Sequence, residues 1–269
     1  SSGIVVPLQS LRSEKSPAAG EYPDLVGLGK LAKAWGFDLI QLLPVNDSGF
    51  QSSPYSALSA FALHPLYIAI ADLPELSQAG GEKYLAAAAE LGAKYAGDAR
   101  FRYQAYLKEK LKLLEKIWNS QAEAALGGSP KAPESAERSA FEFWMAENSW
   151  VKPYAIFVEL KRLNAGKAWW EWTELRDPTA ADILRLWNDT VLRSGCRFQA
   201  WLQWRAEGQF RAASAALAAQ GISLMGDIPI LISEDSAEVW ARRSVFKLGL
   251  AAGAPPDMYA ELGQNWGFP

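Results

Sequence analysis

The sequence is poor in the residues that build disulfides and metal sites. Its 269 residues include one cysteine, Cys196, and one histidine, His64. A single cysteine excludes an intrachain disulfide and a cysteine-based zinc cluster. A single imidazole leaves no second histidine for a metal site or a histidine relay. Because His64 lies in a mostly apolar run, SAFALHPLYIAIADL, we expect it to be packed and hydrogen-bonded rather than catalytic. No metal or cofactor is therefore expected.

The sequence also lacks a block rich in lysine and arginine, and it lacks a long apolar run. Its net charge is −3, which argues against nucleic acid as a partner. No run approaches the ~18 apolar residues of a membrane span, and no signal peptide precedes the first predicted strand. These absences predict a soluble, cytoplasmic protein with neither a nucleic-acid nor a membrane partner.

Tryptophan, by contrast, is abundant, with 12 residues. A tryptophan side chain is large, is rarely buried completely, and often keeps one edge close to a polar partner for its N–H. We expect most of these residues to serve core and interdomain packing. A minority could line a carbohydrate cleft, and the count alone does not choose between the two roles.

A strand–helix–strand unit opens the chain. Residues 4–7 form a short β-branched run, and the second strand is the apolar run at residues 39–43. Between them, DLVGLGKLAKAWG has apolar residues at helical spacing, with Asp24 as the predicted N-cap and Gly36 as the residue that ends the helix. Such a unit predicts a parallel sheet with a right-handed crossover connection.

A long helical region follows. From about residue 82 to residue 193 the apolar pattern is helical, and no strand is predicted. Within it, residues 127–135 (GGSPKAPES) form a linker-like loop. Asp177 is the predicted N-cap of another helix, with Pro178 at its first position. We interpret this whole region as an insertion between the second and third strands.

The third strand is predicted at residues 222–228, after a long helix at about residues 197–219. All three strands end in the same way, with an apolar run, a proline and then a polar loop. Three parallel strands leave two edges open, which natural folds rarely leave bare. We therefore expect the α/β fold of this chain to be the front portion of a larger (β/α) barrel, or half of an assembly.

Two loops carry candidate binding residues. In the first, Ser53-Pro54-Tyr55 places a hydroxyl and a phenol on a proline-stiffened turn after the second strand, where parallel α/β folds build their sites. In the second, residues 224–269 combine carboxylates, amides and a tryptophan with several turn formers. Carboxylates and amides suit the hydroxyls of a sugar, and an indole suits the apolar face of its ring. For both loops, a structural turn with its aromatic side chain packed remains the alternative.

Six strings in these regions, in this order, resemble one enzyme family. They are GIVVPLQSLRS, QLLPV, SPYSALSAFA with the following HPLYI, the aromatic helical region, GDIPILISEDSAEVW and GAPPDMYAELGQNWGFP. The sequence resembles the amylomaltases, the 4-α-glucanotransferases of glycoside hydrolase family 77, over nearly its whole length.

The resemblance implies a fold and a division of the chain. It implies part of a TIM-type (β/α)8 barrel with a large helical insertion. Residues 1–75 would form the first βαβ unit and a substrate loop, and residues 76–195 a mainly helical inserted subdomain. Residues 196–269 would hold a barrel helix, the third strand and a cleft-closing loop, and the remainder of the barrel would be absent from this chain.

The resemblance also implies a reaction. The family transfers α-1,4-glucan segments to the 4-hydroxyl of an acceptor sugar by a retaining mechanism, which needs two carboxyl groups roughly 5 Å apart. The nucleophile of the family lies in an R-I-D-H motif, which this sequence lacks. We therefore expect the nucleophile and the acid beyond Pro269, and possible partners are glucans, maltooligosaccharides and a C-terminal fragment that completes the barrel.

Binding residues are what the resemblance assigns to this chain. The expected substrate-binding residues are Ser53, Tyr55, Asp227, Asp257, Gln264 and Trp266. For Asp227 the competing interpretation is a structural carboxylate that holds a loop. For the chain as a whole, one alternative is a non-catalytic glucan-binding module. Another is a small complete barrel enzyme that uses Asp227 and Asp257 as an acid–base pair.

Overall fold

A small parallel sheet organises the fold. The computed structural model of the protein describes residues 2–129, 134–229 and 232–269. Strands β1 (Gly3–Val6), β2 (Leu39–Leu42) and β3 (Ser223–Met225) lie in the order β1-β2-β3, and both pairings are parallel. The central strand alternates between half-buried and buried positions. This alternation follows from the period-2 geometry of a strand.

Helices make up most of the rest. Their bounds are α1 (Asp24–Ala34), α2 (Glu82–Ala96), α3 (Tyr103–Ile117), α4 (Glu123–Leu126), α5 (Ala136–Glu147), α6 (Val151–Leu163), α7 (Ala180–Asn188), α8 (Arg193–Ala219) and α9 (Ala237–Ala241). Among the described residues between 82 and 193 there is no strand, which confirms the predicted helical region. In the part of the chain that the structure describes, no helix is both long and apolar enough to cross a membrane.

The connections into β2 and β3 share one design. After α1, the N–H of Phe37 donates to the carbonyl of Ala32 over 2.9 Å, and after α8 the N–H of Ile222 donates to the carbonyl of Leu217 over 3.0 Å. Both connections are Schellman motifs, in which a residue with positive φ ends the helix. That residue is Gly36 (φ 82°) in the first and Gly221 (φ 75°) in the second. The two turns aim β2 and β3 into the sheet from equivalent helix ends.

The hydrophobic core is continuous across the predicted boundaries at residues 75 and 195. Helix α8 lies at its centre and packs against α1, α5, α6, α7 and β3. Three fully buried tryptophans, Trp118, Trp201 and Trp240, come from different parts of the chain and belong to one cluster. The division of the chain into three subdomains stays a prediction.

Two predicted helix starts are wrong. In both helices an aspartate carboxylate accepts a hydrogen bond from the backbone N–H three residues earlier. Asp24 is the first residue of α1 rather than its N-cap, and its carboxylate reaches back to the N–H of Glu21 (2.7 Å) and the Ser13 hydroxyl (2.7 Å). The N-cap of α7 is Thr179 rather than Asp177, because Thr179 and Asp182 form a reciprocal capping box.

Strand β3 is also shorter than the predicted 222–228. Ile222 belongs to the turn that ends α8, and the strand stops at Met225. Gly226 and Pro229 then disfavour further pairing, since glycine costs backbone entropy and proline has no N–H to donate. The predicted loop at residues 127–135 includes residues 130–133, which lie outside the described residues.

Candidate functional site

The loop after β2 is built on the buried carboxylate of Asp47. Its Oδ2 accepts a hydrogen bond from the phenol of Tyr154 (2.7 Å), and its Oδ1 accepts one from the N–H of Gly49 (2.9 Å). The backbone of Asp47 bonds to Leu58 and Ala62, at 2.7 and 2.8 Å. This loop therefore has a fixed shape, held from below by α6.

His64 belongs to the same support, as the sequence predicts. Its Nδ1 accepts from the N–H of Leu66 (3.1 Å), so its proton lies on Nε2, which faces the Tyr103 hydroxyl. That hydroxyl donates onward to the carbonyl of Gly49 (2.6 Å). Burial lowers the pKa of His64, and the nearby Asp47 carboxylate only partly offsets this effect. His64 is therefore packed and hydrogen-bonded, as predicted, and its structural rather than catalytic role stays a prediction.

Tyr55 and Asp227 meet at the end of the sheet. The Tyr55 hydroxyl donates to Oδ2 of Asp227 over 3.0 Å, although the two residues are 172 positions apart. Tyr55 is 42% exposed, so the pair is open to solvent. The hydrogen bond to Asp227 raises the pKa of the Tyr55 phenol, because the carboxylate stabilises the protonated form.

Ser53 lies on the same exposed turn. Its carbonyl accepts from the N–H of Ser56 (3.2 Å), and its side chain is exposed. Pro54 stiffens the turn by fixing its own φ. The structure thus places three of the predicted site residues, Ser53, Tyr55 and Asp227, around one solvent-exposed edge.

The other three predicted residues lie in a separate hairpin. Strands β4 (Gly253–Ala254) and β5 (Gln264–Asn265) pair in antiparallel fashion. Asp257 accepts from the N–H groups of Tyr259 and Ala260, both at 2.8 Å. The indole N–H of Trp266 donates to the side-chain oxygen of Gln264 over 2.9 Å. In the described part of the chain, the side-chain hydrogen bonds of these three residues stay inside the hairpin.

A cavity lies between the hairpin and the loop that follows β3, and residues of both line it. It has a volume of about 240 Å³, and its lining residues are Glu234, residues 248–251, Asn265, Gly267 and Pro269. Among the residues that the structure describes, no hydrogen bond joins these two groups of predicted site residues.

The tryptophan cluster at residues 169–172 is packed. Trp169 and Trp172 are buried, and the indole of Trp169 donates to the carbonyl of Glu234 over 2.8 Å. Asp235 forms an ion pair with Lys161. These residues tie α6 to the loop after β3, and only Trp170 is exposed, at 42%. This placement agrees with the packing role expected for most of the tryptophans.

Sequence reasoning gave no role to Glu238. Its carboxylate, on α9, accepts from the hydroxyl of Ser59, in the loop after β2, over 2.7 Å. A carboxylate in the first turn of a short helix reads as a solvated charge in the sequence. The only available signal was the spacing of Ser236 before Val239, which form a side-chain cap of α9. Among the described residues, no cluster of three potential metal ligands is present.

The chain is similar in sequence to proteins of one family. Residues 6–269 match the family model of glycoside hydrolase family 77, described as 4-alpha-glucanotransferase. The 4-alpha-glucanotransferase of Chlamydia caviae is 33% identical over 271 residues, which cover 99% of this chain and 48% of the relative. The Thermus thermophilus enzyme of the same name is 35% identical over 237 residues, covering 85% and 43%. A rice relative is 32% identical over 275 residues, covering 99% and 28%.

The chain thus spans about half the length, or less, of the curated relatives it matches. This coverage confirms the expectation that the sequence matches only a portion of the family's length. The comparisons do not support a separate C-terminal fragment as a partner.

Solved structures show the same fold. The amylomaltase of Streptococcus agalactiae, in complex with acarbose, aligns with a TM-score of 0.78 at 21% identity, over 99% of this chain and 52% of that one. The amylomaltase of Corynebacterium glutamicum aligns with a TM-score of 0.73 at 23% identity, over 99% and 36%. At these identities the likeness shows the fold alone.

Proposed function

Because the chain belongs to glycoside hydrolase family 77, the 4-alpha-glucanotransferases, we propose that it supplies glucan-binding surfaces for transfer of α-1,4-glucan segments to the 4-hydroxyl of an acceptor sugar. The binding residues are Ser53, Tyr55, Asp227, Asp257, Gln264 and Trp266. Maltooligosaccharides and longer α-1,4-glucans are the ligands that these surfaces fit. Cytoplasmic placement stays a prediction.

The hydrogen bond between Tyr55 and Asp227 carries the proposal. It joins two motifs that were singled out separately in the sequence, over 3.0 Å. The Asp227 carboxylate can accept hydrogen bonds from the hydroxyls of a sugar, and the Tyr55 phenol oxygen, on a side chain that is 42% exposed, can accept one as well. Charge-assisted hydrogen bonds of this kind are shorter and stronger than neutral ones. Ser53, on the same turn, adds a further hydroxyl.

The hairpin supplies an apolar surface beside polar groups. The ring of Trp266 is 47% exposed, and its N–H is already bonded to Gln264, so the indole has a fixed orientation before any ligand arrives. A ring held in this way loses little entropy when it binds. We propose that Trp266 stacks on a glucose ring, while Asp257 and Gln264 bond to its hydroxyls.

The chemistry itself we assign to residues outside this sequence. A retaining mechanism requires a carboxylate nucleophile and a protonated carboxyl about 5 Å from it, and the R-I-D-H string that carries the nucleophile in the family does not occur in residues 1–269. In this proposal β1, β2 and β3 are consecutive strands of a TIM-type (β/α)8 barrel. Their parallel order, β1-β2-β3, supports this placement.

A second candidate is a glucan-binding module without catalysis. This module would use the same surfaces. The two functions differ in one measurement on the 269-residue chain, which is the release of glucose and longer oligosaccharides from maltotriose. We expect no release of these products from this chain alone. Release by a purified sample of the chain, with its mass confirmed, would contradict our assignment of the chemistry.

Calorimetric titration with maltoheptaose tests the proposed binding. Loss of one hydrogen bond costs about 1 kcal/mol, so Tyr55→Phe should raise Kd roughly five- to tenfold. Tyr95→Phe is the matched control, because the Tyr95 hydroxyl donates to the carboxylate of Glu109 over 2.7 Å in a different region. Absence of heat with the unaltered chain, at millimolar maltoheptaose, would overturn the proposal. Equal affinities of Tyr55→Phe and Tyr95→Phe would remove Tyr55 from the site.

A further inference from the structure

A single buried hydroxyl shapes the turn that follows Tyr55. The Ser59 side chain is fully buried. Its oxygen accepts from the N–H groups of Phe61 (3.1 Å) and Ala62 (3.0 Å), and its proton is donated to Oε1 of Glu238 (2.7 Å). One donor and two acceptor positions are the whole capacity of a hydroxyl. Ser59 is therefore fully used, and its rotation is fixed by Glu238.

The same turn is bound to the chain after β3 by its backbone. Ala57 forms a parallel bridge with Ile232, and its carbonyl accepts from the N–H of Ser233 (3.3 Å). The carbonyl of Leu58 accepts from the N–H of Ala237 (2.9 Å), the first residue of α9. Tyr55 lies just before these contacts in one segment, as Asp227 does in the other. The Glu238–Ser59 hydrogen bond adds a side-chain contact between these two segments.

Burial of the Glu238 carboxylate destabilises the folded chain. Burial raises the pKa of the Glu238 carboxyl, and the hydrogen bond from the Ser59 hydroxyl only partly offsets this effect. Its Oε2 is buried and has no hydrogen-bond partner among the described residues. A buried acceptor left unsatisfied is destabilising. An apolar residue would avoid that cost but could not hold the Ser59 proton.

We propose that Glu238 is a positioning residue, which, by holding Ser59, keeps Tyr55 within hydrogen-bonding distance of Asp227. The inference rests on the proposed function only in that Tyr55 and Asp227 are taken as glucan-binding residues. The Glu238 side chain bonds to Ser59, and the hydrogen bond between Tyr55 and Asp227 does not involve it. Its effect on ligand passes through the turn at residues 57–62.

The experiment follows Tyr55 directly, without glucan. The pKa of Tyr55 is raised chiefly by its bond to Asp227, so loss of that bond should return the pKa toward the ordinary value of 10.0. Carbon NMR of ring-labelled tyrosine measures this pKa, with Tyr55→Phe assigning the signal. The variants are Glu238→Ala, Glu238→Gln and Ser59→Ala. Glutamine keeps an acceptor for the Ser59 proton.

Glu75→Ala is the matched control. Glu75 is also a buried carboxylate whose Oε2 lacks a partner among the described residues. It is bonded to Arg205, at 2.7 and 2.8 Å, and to the indole of Trp201, away from the turn. A general loss of stability would therefore appear in both alanine variants, while a change at Tyr55 would appear in one.

The proposal expects a lowered Tyr55 pKa in Glu238→Ala and Ser59→Ala, and a Tyr55 pKa close to that of the unaltered chain in Glu238→Gln and Glu75→Ala. Amide exchange of Phe61 and Ala62 should be about tenfold faster or more in the first two variants, since local opening becomes easier. Ser59→Ala removes only a hydroxyl, so it decides the matter if Glu238→Ala does not fold. An unchanged Tyr55 pKa in folded Ser59→Ala would overturn the proposal.

Maltoheptaose titration of the same variants separates this inference from the proposed function. If the unaltered chain binds no glucan but the Tyr55 pKa follows the expected pattern, the positioning role stands and the proposed ligand is wrong. If the unaltered chain binds glucan and the Tyr55 pKa does not move, the positioning role is wrong and the proposed ligand stands.

Discussion

Two regions of this molecule use the same residue type in opposite ways. On α8 and α9, Trp201 and Trp240 are buried, and their indole N–H groups donate to the carboxylate of Glu75 and to the carbonyl of Leu175 (2.7 Å). In the hairpin at residues 252–268, Trp266 is 47% exposed and donates to its neighbour Gln264. The first arrangement fixes the fold. The second presents a ring to solvent on a small, self-contained support.

The difference lies in what surrounds each ring. Trp240 contacts the rings of Phe157 (5.7 Å between centroids) and Trp172 (6.0 Å), so its surface is covered by other apolar side chains. The hairpin instead exposes Met258, Tyr259 and Leu262 near Trp266. Exposed apolar side chains on a loop whose side-chain hydrogen bonds are internal are typical of a ligand-binding surface.

Stability measurements give the largest expected contrast. Trp240→Ala should lower the free energy of unfolding by about 3–5 kcal/mol, because it removes a buried ring and leaves a cavity. Trp266→Ala should change it by only about 0.5 kcal/mol, the range for exposed positions. Urea denaturation of both variants measures the difference. Similar losses in the two variants would mean that the hairpin packs as tightly as the core and would break the comparison.

The sequence predicts the core region better than the hairpin, for a physical reason. Apolar periodicity reports burial, so α1, α8, the helical region between them and the first two strands follow from it. It does not report which polar side chain will reach back to a helix start, and for that reason Asp24 and Asp177 were misassigned as N-caps. Nor does it report a contact between Ser59 and Glu238, 179 residues apart. The family resemblance supplies the candidate residues, while the contacts that each of them makes required the structure.

The pH dependence of stability sharpens the comparison through His64. Its folded-state pKa is lowered by burial from the ordinary value of 6.5. As pH falls below that value, the unfolded chain takes up a proton that the folded chain refuses. The stabilising contribution of neutral His64 is therefore complete above pH 6.5 and is lost as pH falls. One proton changes the unfolding free energy by at most about 1.4 kcal/mol per pH unit.

Denaturation midpoints between about pH 7 and pH 5 measure this effect, with a reference pKa near 6.5 for the unfolded imidazole. His64→Asn removes the titration and keeps an acceptor for the N–H of Leu66, which His64 caps in the structure. The pH slope in this range should be smaller in His64→Asn than in the unaltered chain. An equal slope in both would show that folding does not change proton binding at His64.

The smallest expected effect is on ligand binding by the hairpin, and it depends on the proposed function. If Trp266 stacks on a glucose ring, its removal costs on the order of 1 kcal/mol, by analogy with aromatic pairs. This corresponds to a roughly five- to tenfold weaker Kd for maltoheptaose. Trp170→Ala is the matched control, since Trp170 is exposed to a similar extent, 42%, but lies outside both candidate surfaces. The expected result is a weaker Kd in Trp266→Ala alone, with both variants melting close to the unaltered chain. Equal affinities would show that an exposed ring on a pre-shaped hairpin is not by itself a sugar platform, and the comparison between the two regions would then describe packing only.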